Sequence, residues 1–398
     1  MTVAYVAGVG MTRFYKPGQH QPYRVMVKEA VETALQDAGV PYGAVQQAFG
    51  AYIYGDSTCG QNALYSVGMT GIPIINVNNN CSSGSTALFL ARQAVASGAA
   101  ECVLAFGFEE MQPGALASHW EDRESPFDPM LGRLKEIAPH TPAGPLALQM
   151  FGAAGRAYME RYSAPASLFA EVAVKTRAHA LNNPRSLFNK PLTVEEVLSS
   201  PTIYDGYMTR LMACPPTCGA AAAIICSDAF AKRHGIRKPV CIAGQSMTTD
   251  TADSWDNPID LIGAQMTQLA TNQALNEAGV DLADVDVVEL HDCFTPNEVI
   301  TYEGLGLCEA GEAERFVRAG DHTYGGRFVV NPSGGLMSKG HPIGATGLAQ
   351  CAELVWHLRG DAGARQVAGA RVALQHNLGL GGAAVVTLYQ RDSASMTL

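Results

Sequence analysis

Basic side chains are few in this chain and scattered: 27 Lys and Arg stand against 37 Asp and Glu, a net charge of −10. A nucleic-acid footprint or an anionic-membrane patch needs clustered positive charge, so neither is expected. None of the ten cysteines forms a C-x-x-C pair, which removes the usual zinc-ribbon spacing. Cys214-Pro-Pro-Thr-Cys218 is spaced more loosely and no His/Cys pair follows it, so no metal is expected. No apolar run approaches the ~20 residues of a membrane span. The first ten residues lack a basic region before their apolar run and read as a first strand, not a secretory signal. The closing Ser395-Met-Thr-Leu398 is not a Ser-Lys-Leu address. Reduced thiols in the cytoplasm are the expectation.

What the chain has is apolar: 47% hydrophobic and 16% charged residues over 398 positions, enough for a large core and little disorder. It also repeats itself. Val6-Ala-Gly-Val-Gly-Met-Thr12 matches Ile242-Ala-Gly-Gln-Ser-Met-Thr248. Glu32-Thr-Ala-Leu-Gln-Asp-Ala-Gly-Val40 matches Asn272-Gln-Ala-Leu-Asn-Glu-Ala-Gly-Val280. The offsets nearly agree, and a strand pattern follows each match (residues 44–53 and 285–290). This is a duplicated α/β unit with mixed sheets covered by helices, and a site is expected where the turns of the two halves converge. Residues 112–210 have no counterpart in the second half. They are rich in proline and charge, hold helical patterns at 146–162 and 167–181, and read as an insertion over the site. The expected domains are 1–111 with 211–238, the insertion 112–210, and 239–398.

Three constellations carry chemistry. Asn78-Asn79-Asn80-Cys81-Ser82-Ser83-Gly84 follows an apolar run at 71–77, read as a buried strand, and precedes a helical run at 87–96. A cysteine at such a helix start is favoured as a thiolate, its titration lowered from ~8.5 to roughly 3.5–7.5. That suits a covalent nucleophile, although on local grounds a small buried apolar residue is the commoner reading of a lone cysteine. Glu289-Leu-His291-Asp292-Cys293-Phe294 ends a strand pattern and places His291 and Cys293 on one side if extended. Lys339-Gly-His341-Pro342-Ile-Gly344-Ala-Thr-Gly347 opens another helix, with Pro342 suited to its first position. Finally, 373–389 reads as strand, glycine turn, strand, and lacks the helix a dinucleotide loop requires.

Together with Gly55-Asp-Ser-Thr-Cys-Gly-Gln61, Tyr324-Gly-Gly326 and Asn331-Pro-Ser-Gly-Gly335, these strings resemble thiolases over essentially the whole chain. The closer resemblance is to the thiolase domain of the sterol carrier protein type, in which a separate carrier module would follow residue 398. The resemblance implies a duplicated five-layered α-β-α-β-α thiolase fold with an inserted loop domain. It implies Cys81 as nucleophile, His341 as its activating base and an oxyanion donor, Cys293 as second acid/base, and His291 completing the first oxyanion hole. The backbone N–H groups of Cys81 and Gly379 form the second hole, with Asn377 in support. Asn377 stands where commoner thiolases carry their acid/base cysteine. Cys218 replaces an aspartate that the family usually has before Gly-Ala-Ala.

The activity so implied is CoA-dependent cleavage of a 3-oxoacyl-CoA to acetyl-CoA or propionyl-CoA and a shortened acyl-CoA, with coenzyme A as substrate and no permanently bound cofactor. A homodimer or dimer of dimers is implied, with a small accessory protein left open. Lys175, Arg177, Arg185 and Lys190 are candidates for the CoA phosphates, and Met150 and Phe151 for the acyl pocket. The alternatives are a decarboxylating or biosynthetic condensing enzyme, a carbon–carbon lyase with a partner subunit, and a non-catalytic lipid-binding protein.

Overall fold

The computed structural model describes residues 2–114, 120 and 122–391; the chain's last residues, 395–398 included, and Glu121 of the proline-rich stretch lie outside them. The strands are β1 (Ala4–Met11), β2 (Gln47–Ala51), β3 (Ile74–Val77), β4 (Cys102–Glu109), β5 (Thr202–Tyr204), β6 (Met208–Thr209), β7 (Gly219–Ser227), β8 (Val240–Thr248), β9 (Val287–Glu289), β10 (Val329–Val330), β11 (Val372–Gly379) and β12 (Ala383–Arg391). β5 and β6 form a small hairpin, and the other ten make one mixed sheet in the order β10-β9-β11-β12-β8-β1-β7-β4-β2-β3.

That order reads the same from both ends. β1/β7 and β7/β4 are antiparallel and β4/β2 and β2/β3 parallel, as β8/β12, β12/β11, β11/β9 and β9/β10 are. Among the described residues the two five-strand units pair strand to strand only where Tyr5 meets Cys241 and Val6 meets Val240. The duplication reaches single residues. Ala7 in β1 and Ala243 in β8 are each the extra residue of a bulge. Next to them, a Cβ on Gly8 would lie 2.4 Å from Ala34 O, and one on Gly244 2.2 Å from Ala274 O. The outer helices Tyr23–Ala38 and Ala264–Ala278 therefore ride directly on the strand backbones, which explains why Ala-Gly and its partner alanines recur in the sequence.

Between the two five-strand units lie two central helices, Ser83–Ala96 and Thr346–Arg359. They pack on one another through Ala87, Leu88, Ala91, Leu348, Ala352 and Val355 in one apolar cluster. The result is five layers: helix, sheet, helix pair, sheet, helix. β7 is buried on both faces, with Ala221, Ala223 and Ile225 facing the central helices and Ala220, Ala222 and Ile224 the outer layer. The insertion contributes helices Leu146–Tyr162 and Ala166–Ala180, which join the core of the second half through Phe151, Tyr158 and Phe169.

Two local expectations change. The run at 71–77 is not a buried strand: β3 ends the sheet, with Ile75 and Asn76 exposed, because nothing pairs with its outer edge among the described residues. Pro342 does not open the second central helix. It precedes a short turn, Ile343–Ala345, and the helix begins at Thr346.

Gly8→Ala and Gly244→Ala should each destabilise the protein by about 1–3 kcal/mol, because a methyl cannot enter without lifting a helix off its sheet. Equilibrium denaturation checks this, and equal effects at the two sites are expected from the symmetry.

Candidate active site

The first turns of the two central helices touch. A Cβ on Gly347 would lie 2.3 Å from Ser85 N, and one on Gly84 2.8 Å from Gly344 O. This contact brings together what precedes each helix: Cys81 from the first half and His341 from the second. Asn80, with φ +50°, makes the turn that presents Cys81, and asparagine tolerates that left-handed backbone. Its Nδ2 donates to Leu380 O at 3.1 Å, pinning the turn to the β11–β12 loop. Gly379, at the end of β11, comes so close that a Cβ there would sit 2.2 Å from Asn79 O and 2.7 Å from Ser82 Oγ.

One donor atom from each of Cys81, His291 and His341 lies within 4.8 Å of the others, and all three residues are buried. The two imidazoles stand edge to face, centroids 5.1 Å apart. Their proton positions follow from their partners. The Thr346 hydroxyl donates to Pro342 O at 3.0 Å, so its oxygen accepts from His341 Nδ1 at 2.6 Å. His341 Nε2 is then the bare nitrogen, and it is buried without a protein partner.

His291 is set the other way by a relay. Tyr389 donates to Gln375 Oε1 at 2.5 Å, Gln375 Nε2 to Ser85 Oγ at 2.8 Å, and Ser85 to Asn377 Oδ1 at 2.9 Å. Asn377 Nδ2 must then donate to His291 Nδ1 at 3.0 Å, leaving the ring proton on Nε2. One histidine offers a base and its neighbour a donor. Burial, and for His291 also the neighbouring His341 and His376, holds both pKa values down, His341 to about 3, so both rings are neutral at pH 7.

The expected low pKa of Cys81 is not found. Burial first, then the Glu109 carboxylate, raise the thiol to about 12. Desolvation outweighs the helix terminus, because Cys81 lies two residues before the helix and is buried. Cys81 therefore rests as a thiol and needs a base to take its proton. Glu109 is a site residue with no signal in the sequence. Buried at the end of β4, it accepts from the N–H groups of Ile53 (3.2 Å), Tyr54 (2.8 Å) and Gly344 (3.0 Å), locking the turn after His341 to the first half. Burial raises its pKa to about 7.

Cys293 follows β9 and is buried. Burial, then the Cys214 and Cys81 thiols and Asp292, push its pKa well above the ordinary value. Cys214 is a third thiol that the sequence reading considered only for metal spacing. Its N–H donates to Cys293 O at 2.9 Å, and its segment runs on to Thr217, whose hydroxyl accepts from His341 N at 3.1 Å. Asp292 accepts from the N–H groups of Leu336 (2.7 Å) and Met337 (3.3 Å), holding the strand end to the turn before His341. Cys218 accepts from Met111 N at 3.2 Å and donates to Met111 O at 3.5 Å, so its thiol pairs both backbone groups of one residue.

The insertion residues divide. Phe151 stacks on Phe294 with centroids 5.1 Å apart, beside Cys293, and Met150 is buried next to it in the same cluster. Lys175 is buried and paired with Glu298, which also accepts from Tyr302 at 2.5 Å. Arg177 is buried, bonds Ser338 Oγ at 3.2 Å and lies over the Phe188 ring. Neither cation is offered to a solvent-borne phosphate: Arg177 bonds the turn that carries His341, and Lys175 also donates to Val330 O at 3.3 Å. Arg185 lies over Trp356, and Lys190 is exposed.

Comparison with known proteins now bears on this geometry. The thiolase N-terminal domain family model matches residues 4–197 and the thiolase C-terminal domain-like model matches 247–391. The chain is 54% identical over 395 residues to sterol carrier protein 2 of Oryctolagus cuniculus, covering 97% of this chain and 71% of the relative. It is 35% identical to benzoylsuccinyl-CoA thiolase subunit BbsB of Thauera aromatica, covering 95% and 94% of the two chains. A solved structure titled Ltp2-ChsH2(DUF35) aldolase superposes with TM-score 0.82 at 24% identity, covering 98% of both chains, and shows the shared fold. Among the described residues no helix is long and apolar enough to cross a membrane.

Because Cys81 rests as a buried thiol with a pKa near 12, its thiolate fraction grows about tenfold per pH unit through the neutral range. Inactivation of the free enzyme by iodoacetamide, mapped to Cys81, should keep rising from pH 6 to pH 9. A plateau below pH 8 would reveal a low-pKa thiolate.

Proposed function

The chain belongs to the thiolase family, and on that premise we propose that it is an acyltransferase cleaving 3-oxoacyl-CoA with coenzyme A. The observation that carries the reading is the pairing of a neutral thiol, Cys81, with a bare buried His341 Nε2 and an oppositely protonated His291.

His341 Nε2 takes the Cys81 proton as Sγ adds to the 3-oxo carbon. The C2–C3 bond breaks. The electron pair passes to the enolate of acetyl-CoA or propionyl-CoA, whose oxygen receives hydrogen bonds from His291 and the now protonated His341. Cys293 gives its proton to C2, and acetyl-CoA or propionyl-CoA leaves while the shortened acyl group stays on Cys81. Coenzyme A, losing its thiol proton to the Cys293 thiolate, attacks the acyl group on Cys81. Cys81 departs as a thiolate and recovers the proton from His341, which closes the cycle. The Cys81 and Gly379 N–H groups serve the tetrahedral oxyanion on the acyl carbon, and each such donor is worth ~3–4 kcal/mol.

The high pKa of Cys293 fits its task. A thiol that holds its proton until a carbanion forms beside it is a competent acid for C2, and no other donor to that carbon is needed. A condensing enzyme that decarboxylates leaves Cys293 without work, which disfavours that alternative, while the reverse, non-decarboxylating condensation uses the same groups. Acyl-chain class, in fatty-acid or sterol side-chain degradation, rests on the sterol carrier relatives alone. A homodimer in the cytoplasm completes the proposal. A partner subunit is consistent with the relative named as one subunit of a benzoylsuccinyl-CoA thiolase.

Cys293→Ala should lower CoA-dependent cleavage of a 3-oxoacyl-CoA by about 10²–10⁴-fold while acyl exchange between acyl-CoA and free CoA through Cys81 persists. His291→Ala should cost about 10²–10³-fold in kcat. Wild-type cleavage by Cys293→Ala would remove the acid/base assignment.

A further inference from the structure

The cluster that performs acyl transfer is also a set of soft metal ligands, and we propose that it binds one thiophilic divalent cation, Zn2+ in kind, as a reversible inhibitor. The sequence carries no metal motif, because the three ligands come from Cys81, His291 and His341, far apart in the chain. In space, one donor atom of each lies within 4.8 Å of the other two. A tetrahedral zinc with Zn–S ~2.3 Å and Zn–N ~2.0–2.1 Å spaces its ligand atoms by about 3.3–3.6 Å, so a closure of roughly 1 Å completes the site.

Two observations beyond proximity support it. His341 Nε2 is 95% buried as a residue, has no protein partner, and is already the deprotonated nitrogen. Its Nδ1–H is held by the Thr346 hydroxyl, the second bond that fixes and strengthens metal-bound imidazoles. The two helix N-termini work against any cation. That selects a soft ion forming a bond to thiolate over a hard ion such as Mg2+.

Binding is proton-balanced. The Cys81 thiol releases one proton to solvent as the metal–sulfur bond forms. On His291 the ring proton moves from Nε2 to Nδ1, and the Asn377 amide turns so that its oxygen accepts it while its nitrogen donates to Ser85. The fourth position is left to water, and the nucleophile and base are both occupied, so acyl transfer stops until a chelator removes the ion.

The test uses Co2+ as a spectroscopic probe on the whole chain, with Zn2+ in competition. One Co2+ per chain with a thiolate-to-cobalt charge-transfer band is expected, displaced by Zn2+ and untouched by Mg2+. The band should vanish in Cys81→Ser and in wild-type protein alkylated at Cys81, which guards against a variant that fails to fold. Thr346→Val should weaken Co2+ binding roughly 10–100-fold and Thr346→Ser should restore it. Absence of the band, or its survival after Cys81 is blocked, overturns the proposal. The band reads the cluster directly: a band without CoA-dependent cleavage leaves the cation site standing and removes the acyl-transfer reading, and cleavage without a band does the reverse.

Discussion

Everything at this site depends on one close contact, the meeting of the two central helices at their first turns. Glycine at 84 and at 347 is what lets the backbones approach, and any side chain at either position would strike the other helix. Cys81 and His341, the proposed nucleophile and base, come from different halves of a duplicated chain, so neither half holds the cluster by itself. Glu109 reinforces the contact from the first half by gripping Gly344 N–H, and Asp292 does so from the second by gripping Leu336 and Met337. Arg177 braces the same turn from the insertion. Three separate segments thus converge on the orientation of a single imidazole.

Burial is the second organising fact. Both histidines, Cys81 and Cys293 are enclosed, and desolvation outweighs every local effect on their protonation. The site therefore holds neutral groups at rest, and in the proposed reaction protons move only when substrate arrives. The hydrogen-bond relay from Tyr389 through Gln375, Ser85 and Asn377 makes this workable, because it decides which nitrogen of His291 carries the proton without charging the ring. A relay of neutral donors costs little to bury when every member is paired.

Much of this was legible in the chain. The Ala-Gly repeat at 7–8 and 243–244 encodes two bulges and two close helix–strand contacts, so duplication could be read as architecture. Cys81, His291, Cys293 and His341 stand at strand ends or helix starts, where local pattern marks a site. Glu109, Thr346, Ser85 and Cys214 were not legible as site residues, because their partners are chosen by tertiary packing across long stretches of sequence. The charges of Lys175 and Arg177 misled for the same reason: a lysine on an insertion helix reads as solvent-facing until Glu298 is seen opposite it. The helix-start argument for Cys81 failed on magnitude, since enclosure outweighs a helix terminus two residues away.

The central claim is that Cys81, and no other of the ten cysteines, carries the acyl group. Its most direct test is mass spectrometry of enzyme quenched after mixing with a 3-oxoacyl-CoA while free coenzyme A is withheld. The account predicts the mass of the shortened acyl group on the peptide containing Cys81, with the Cys293 and Cys214 peptides unmodified. An acyl group on either of those thiols, or cleavage with none on Cys81, would contradict it.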